Sequence, residues 1–160
     1  MIYLRKSDRE ILDRQEIVDF LLSCDTIRIG FFDDEYPYVV PVSFGLEDTG
    51  ETLTFYYHGA IVGKKNELAK KNPNVCIEAD RFKEYVKLRD GVTADYQIFI
   101  GFGTVYECLG EEKAKGLSLL MKHCGFDAYS SDGCSIFDYT DVRKVVISSF
   151  SCKKRFRQSD

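Results

Sequence analysis

The feature that most constrains this chain is a strand that passes through a glycine turn into a short helix. Thr52 to Tyr57 is rich in β-branched and aromatic residues, which suit a pleated, half-buried surface. Gly59 and Gly63 punctuate the turn that follows. Lys64 to Lys71 holds strong helix formers around Leu68 and Ala69, and Asn72-Pro73 stops the helix, because the residue before a proline is pushed out of the α region. The first turn of a helix leaves backbone N–H groups unpaired, and its aligned peptide dipoles make that end partly positive. Lys64 and Lys65 add two full charges there, and Gly63 allows close backbone approach to a ligand. A phosphate dianion suits such an end. The plainer alternative is a solvated lysine pair on an ordinary helix, and a Gly-Lys-Lys run taken alone favours it.

A second stretch is unusual for a core strand. Tyr36 to Leu46 reads as extended, yet it holds Pro37 and Pro41. Proline cannot donate to a sheet ladder and belongs on an edge or an irregular strand. An edge leaves backbone N–H and C=O groups free, and a flat heteroaromatic ligand with donors and acceptors on one side can use them. Alternatively, the prolines simply protect an edge from pairing with another chain. The residues alone leave both readings open.

The remaining elements follow from periodicity. Asp13-Arg14-Gln15-Glu16 has the form of a capping box, and Ile17, Val18, Leu21 and Leu22 recur at helical spacing up to Cys24. Thr26 to Phe32 alternates as a first strand, with Ile27, Ile29 and Phe31 on one face. Asp33-Asp34-Glu35 and Asp48-Thr49-Gly50 read as turns. Val75 to Ala79 is expected as a fourth strand and Arg81 to Val92 as a polar excursion. Thr93 to Cys108 alternates again, and Gly101 and Gly103 suggest a bulge, a bend or close approach to a ligand. Gly110 to Cys124 reads as a helix with Ala114, Leu117, Leu120 and Met121 facing inward. Gly125 to Tyr139 is a Ser/Asp/Gly/Tyr-rich loop long enough to be a lid or a disordered segment, and Lys144 to Phe150 is the last strand. Several antiparallel strands with a few short helices imply a closed or nearly closed barrel. Residues 1–160 are expected to form one domain, with 1–12 and 151–160 as peripheral tails and the basic run Lys153 to Arg157 as a solvated terminus.

Composition excludes several classes. The 160 residues carry a net charge of −4, which argues against a general nucleic-acid binder. No apolar run approaches the length of a membrane span, and Met1 to Glu10 lacks the apolar centre of a signal peptide. The six cysteines are scattered without a Cys-x-x-Cys pair, so a secreted disulfide scaffold is not indicated and a cytoplasmic chain is the expectation. Cys24, Cys76 and Cys108 lie in apolar segments that suit them as small hydrophobes. His123, Cys124 and Cys134 match no standard zinc spacing. No Ser-His-Asp order, paired-carboxylate cleft, His-Glu-x-x-His or Walker sequence occurs.

His58, Ala60, Gly63, Lys65 and Asn72-Pro73 together read His-x-Ala-x-x-Gly-x-Lys-x6-Asn-Pro. With the strand Tyr36 to Phe44, this pattern resembles the FMN-binding split-barrel superfamily, most closely the 5-nitroimidazole-reductase-like branch of the pyridoxamine 5′-phosphate oxidase-related proteins. The resemblance implies a six-stranded antiparallel split β-barrel (Greek-key) with short peripheral helices, assembled as a homodimer with FMN at the interface. It implies that Tyr38, Val39, Val40, Pro41 and Val42 lie along the isoalloxazine and meet it through backbone groups. It places His58 and Gly59 near the cofactor and gives the phosphate to Gly63, Lys64 and Lys65. Pyridoxamine 5′-phosphate oxidases carry Ser-Arg-Lys where this chain has Gly63-Lys64-Lys65, so charge is kept at Lys64 while the planar fork of arginine is lost.

His58 is the candidate catalytic residue. It can polarise flavin or substrate, or supply a proton; alternatively it is a histidine bonded to backbone at a strand end. The substrate-recognition features of the true oxidases are not evident in Val145 to Asp160, so the resemblance implies a nitroaromatic, quinone or similar small-molecule reductase rather than vitamin B6 oxidation. The alternatives are a flavin- or haem-binding module without turnover, and an interaction protein with an empty groove. The split barrel supports all of these.

Overall fold

The computed structural model describes residues 7–127 and 137–156. In chain order the elements are α1 (Arg14–Leu22), β1 (Ile27–Phe31), β2 (Tyr38–Val42), β3 (Gly45–Asp48), β4 (Leu53–Ala60), α2 (Lys64–Lys71), β5 (Asn74–Leu88), β6 (Gly91–Glu107), α3 (Gly110–His123) and β7 (Thr140–Arg155). The strands form one antiparallel sheet in the order β2-β1-β5-β6-β7-β4-β3. β2 and β3 lie at opposite edges, yet only Ser43 and Phe44 separate them in the chain. Three Cα–Cα steps span at most about 11 Å. The sheet must therefore curl until its edges almost meet. No ladder joins β2 to β3, so the barrel stays split along that seam.

Seven strands replace the expected six because Tyr36 to Leu46 is not one strand. It breaks at Ser43-Phe44, where Phe44 turns fully into the core and β3 begins on the other side of the seam. Arg81 to Val92 is also not an excursion. It is the outer part of a long β5–β6 hairpin, paired down to Leu88 and Gly91 around a tight turn at Arg89-Asp90. The segment is polar because this end of the hairpin is largely exposed. The C-terminal stretch expected as a tail belongs to β7 as far as Arg155. Ser151 and Cys152 are buried, Lys154 bonds Glu16 at 2.5 Å, and Arg155 bonds the buried Asp95 at 2.7 Å.

Local chemistry explains the rest. Asp13 caps α1 by accepting the Glu16 N–H at 2.7 Å, while the Glu16 side chain reaches Lys154 instead of closing the capping box. The inward positions of β1, Ile27, Ile29 and Phe31, meet Ile77 of β5 and Val145 of β7 in the main core. Phe44, Phe55, Phe99 and Phe150 continue it as a chain of rings 5.5–5.8 Å apart. Gly103 stands opposite a bulge in β7 at Ser148, and a side chain there would strike the Val146 carbonyl at 2.5 Å. α3 covers the outer face of β3, β4 and β7. It buries Leu117 and Leu120, half-buries Ala114 and Met121, and seats Gly116 on the Tyr56 ring. Among the described residues no helix is long and apolar enough to cross a membrane. The Gly125 to Tyr139 loop falls mostly outside the described residues, as does Cys134.

Candidate functional site

β4 delivers its last residues, His58, Gly59 and Ala60, to one end of the barrel, and the chain turns at once into α2. Asn66 builds this corner. Its buried amide donates to the carbonyls of Ala60 at 2.9 Å and Ile61 at 3.0 Å, tying the first turn of α2 back onto the strand. Its Oδ1 is left buried without a partner. Gly63 begins α2 and offers no side chain to cap it. The backbone at position 63 does not itself require glycine. With φ at 161° and ψ at 158° the backbone is extended, and a Cβ would meet open space. Glycine here leaves room in front of the helix rather than relieving the chain.

Lys65 folds back over β4. Its ammonium donates to the His58 carbonyl at 3.1 Å and lies 5.4 Å from the centre of the Tyr57 ring. It sits in the hollow above Gly59, in the space a side chain there would need. Among the described residues no carboxylate lies within ion-pair distance of it. Burial pulls its pKa down, Asp141 pulls it up, and Arg143 pulls it down again. A partly desolvated ammonium next to an uncapped helix start offers positive charge and unpaired N–H groups at one place.

Lys64 behaves differently. It is exposed and bonds Asp33 of the β1–β2 connection at 2.6 Å, which raises its pKa, and it lies 5.2 Å from the centre of the Tyr38 ring. It therefore ties the start of α2 to the start of β2. Through it the structure brings Tyr38 together with Lys64, Lys65, Gly63, His58 and Gly59.

β2 is an edge strand, paired to β1 alone, as Pro37 and Pro41 predicted. Tyr38, Val40 and Val42 pack on the core, while Val39 and Pro41 face outward. Val39 borders an open groove of about 800 Å³ along the outer face of β2, β1, β5 and β6, with Arg28, Cys76, Glu78 and Phe102 among its walls. Neither His58 nor Lys65 lines that groove. Asp33, held by Lys64, stands in its wall and joins the two regions.

His58 is exposed at the end of β4, opposite Val142. Desolvation and the Lys65 charge hold its pKa below the ordinary histidine value, so the ring is neutral at pH 7. His123, by contrast, is structural. Its Nδ1 lies 2.7 Å from the Phe44 carbonyl and its Nε2 3.2 Å from that of Leu22.

The sequence reading missed Asp141 and Arg143. β7 places Asp141 opposite Gly59 and Arg143 opposite Tyr57. Arg143 Nε donates to Asp141 at 2.7 Å, and both side chains are less than a tenth exposed. A charged residue on each side of Val142 was the available signal, but their strand partners lie far away in the sequence. The Tyr57 hydroxyl ends buried and unpartnered beneath Lys65.

The profile of the pyridoxamine 5′-phosphate oxidase family matches residues 13–146. Among solved structures, a candidate 5-nitroimidazole antibiotic resistance protein from Bacteroides thetaiotaomicron is similar at 30% identity. Its TM-score is 0.78, and the match covers 91% of this chain and 86% of that one. The flavocytochrome Anf3 from Azotobacter vinelandii shares the fold at 17% identity and a TM-score of 0.81, with 99% and 75% of the two chains covered. The FAD and haem binding protein from Mycobacterium smegmatis does so at 16% and 0.77, with 95% and 76% covered. No curated protein matches the sequence. The split, curled sheet and the profile that spans most of it lead to one assignment: this chain belongs to the pyridoxamine 5′-phosphate oxidase family.

Proposed function

We propose that this protein binds FMN and uses it to reduce a small nitroaromatic, quinone or similar acceptor. The carrying observation is Lys65: a partly buried ammonium without a carboxylate partner among the described residues, fitted into the Gly59 hollow beside the open start of α2. That set fits a phosphate monoester. Lys65 and the first N–H groups of α2 hold it, with Lys64 adding charge from the side. The ring lies along the free edge of β2, where Tyr38 to Val42 offer backbone groups. A second copy of the chain, lying over the groove, completes the pocket. Bound flavin supplies hydride or electron transfer, and the protein supplies binding and orientation. The His58 ring, at the mouth of the site, donates a hydrogen bond to the acceptor oxygen as it gains electrons, and can pass it a proton drawn from solvent.

The visible spectrum of the purified protein tests this first. Flavin bands that weaken in Lys65→Ala support the assignment. Heat-released cofactor identified as FMN rather than FAD fixes its size. A colourless protein that takes up neither FMN nor FAD overturns it. The fold neighbours named for flavin and haem favour a second reading, a cofactor carrier without turnover. Anaerobic reduction by a nicotinamide donor followed by discharge to nitroaromatic or quinone acceptors separates the two.

A further inference from the structure

We propose that Arg143 is a positioning residue that keeps Lys65 open for a ligand anion by occupying Asp141, the one carboxylate among the described residues placed to neutralise it. This rests on the phosphate reading of Lys65. The geometry comes from the β4–β7 ladder. Asp141 stands directly opposite Gly59. Opposed residues in an antiparallel pair place their Cβ atoms about 4.5–5.5 Å apart on the same face. The Lys65 ammonium sits where the Gly59 Cβ would be. The Asp141 carboxylate is thus within a side chain's reach of Lys65, yet it turns along its own strand to Arg143 at 2.7 Å. The buried pair uses one charge of each sign, so the Lys65 charge has no counterion left among the described residues.

The groups facing Lys65 are Tyr57 and His58 from β4, Asp141 and Arg143 from β7, and Lys64 on its own helix, already held by Asp33. Asp141 is the only anion among those that lacks a partner once Arg143 is removed. It then swings to Lys65, and the two form a closed internal pair. A phosphate must break that pair before it binds. The buried pair therefore acts on ligand affinity without touching the ligand.

The test is a double-mutant cycle of Arg143→Gln and Asp141→Asn, with two readouts. FMN affinity is read by quenching of flavin fluorescence. Lys65 titration is read by NMR of labelled lysine side chains, assigned with Lys65→Arg, and needs no flavin. Arg143→Gln is expected to weaken FMN roughly tenfold, the scale of one charge-assisted contact, and to move the Lys65 titration upward. Adding Asp141→Asn removes the competitor and returns both readouts close to wild type. A double variant that binds FMN as weakly as Arg143→Gln overturns the proposal, because Arg143 then contacts the anion or holds the fold. If Arg143→Gln does not fold, the double variant decides alone: near-wild-type affinity supports the proposal and a tenfold loss overturns it. If wild type binds no FMN, the phosphate reading fails by itself. The Lys65 titration then still decides the pair, and no upward movement in Arg143→Gln overturns it.

Discussion

The ammonium of Lys65 occupies the space that a side chain at residue 59 would fill. Gly59→Ala should therefore displace Lys65 from the His58 carbonyl and from the Tyr57 ring while leaving the β4–β7 ladder intact. FMN affinity should fall about tenfold or more, on the scale of a lost charged contact, with little change in the unfolding midpoint. Parallel flavin titration and thermal unfolding check this. Equal affinity with a displaced lysine would mean that the anion does not rest on Lys65.

Asn66 is expected to matter as a donor. Asn66→Ala removes both bonds that hold the β4–α2 corner and should cost about 1 kcal/mol, since a net intramolecular hydrogen bond contributes about that much and the buried, unpartnered Oδ1 leaves with it. Asn66→Asp keeps the shape, loses the donors and buries a charge against two carbonyls, so it should cost more. Chemical denaturation of the two variants gives the order, and a more stable aspartate would contradict the corner described here.

Acid should loosen α3 before it opens the barrel. The Tyr56 hydroxyl lies 2.6 Å from Glu112 and 2.9 Å from Glu47, and the same carboxylates take Lys144 at 2.9 Å and Lys115 at 2.5 Å. The Tyr56 bond, then Lys144, holds the Glu112 pKa below its ordinary 4.5; Lys115, then Tyr56, does the same for Glu47. A carboxyl depressed in the folded state stabilises above its unfolded pKa and loses that contribution as pH falls through the folded one. Stability should thus decline as pH drops below about 4.5. Glu112→Gln should be less stable than wild type at pH 7 and no longer so at low pH. Urea denaturation across a pH series measures both.

His123 pins the C-terminal end of α3 to two backbone carbonyls and packs its ring edge-on to Phe44, 4.3 Å between centres. His123→Ala should cost about 1–3 kcal/mol, the range for losing hydrogen bonds and an aromatic contact together. The flavin spectrum should not change, because His123 lies apart from the α2 corner. Thermal unfolding alongside the spectrum separates the two effects.

Local signals made several parts of this molecule legible in its sequence. Asp13 caps α1, Pro37 and Pro41 mark an edge strand, and Asn72-Pro73 ends α2. Each depends on a few neighbouring residues. What stayed hidden depends on distant ones. Nothing near Arg143 reveals that it faces Tyr57, and nothing near Lys153 reveals that Lys153 to Arg155 pair with β6. The β5–β6 turn is a different case: an exposed hairpin end lacks the apolar alternation that identifies a strand, so Arg81 to Val92 reads as a polar excursion.

β7 is the last of the described strands in sequence, yet it lies between β6 and β4. On the ribosome β1 can pair with β2, β3 with β4, and β5 with β6, each as a local hairpin. β3 and β4 nevertheless have no route to the other four strands until Thr140 to Arg155 has been made. The apolar faces of both halves must wait, uncovered, for that final insertion. Completion of this sheet is therefore gated by a slow, long-range pairing. During that wait, Pro41 in β2 and Pro37 just before it protect one of the exposed edges from neighbouring nascent chains.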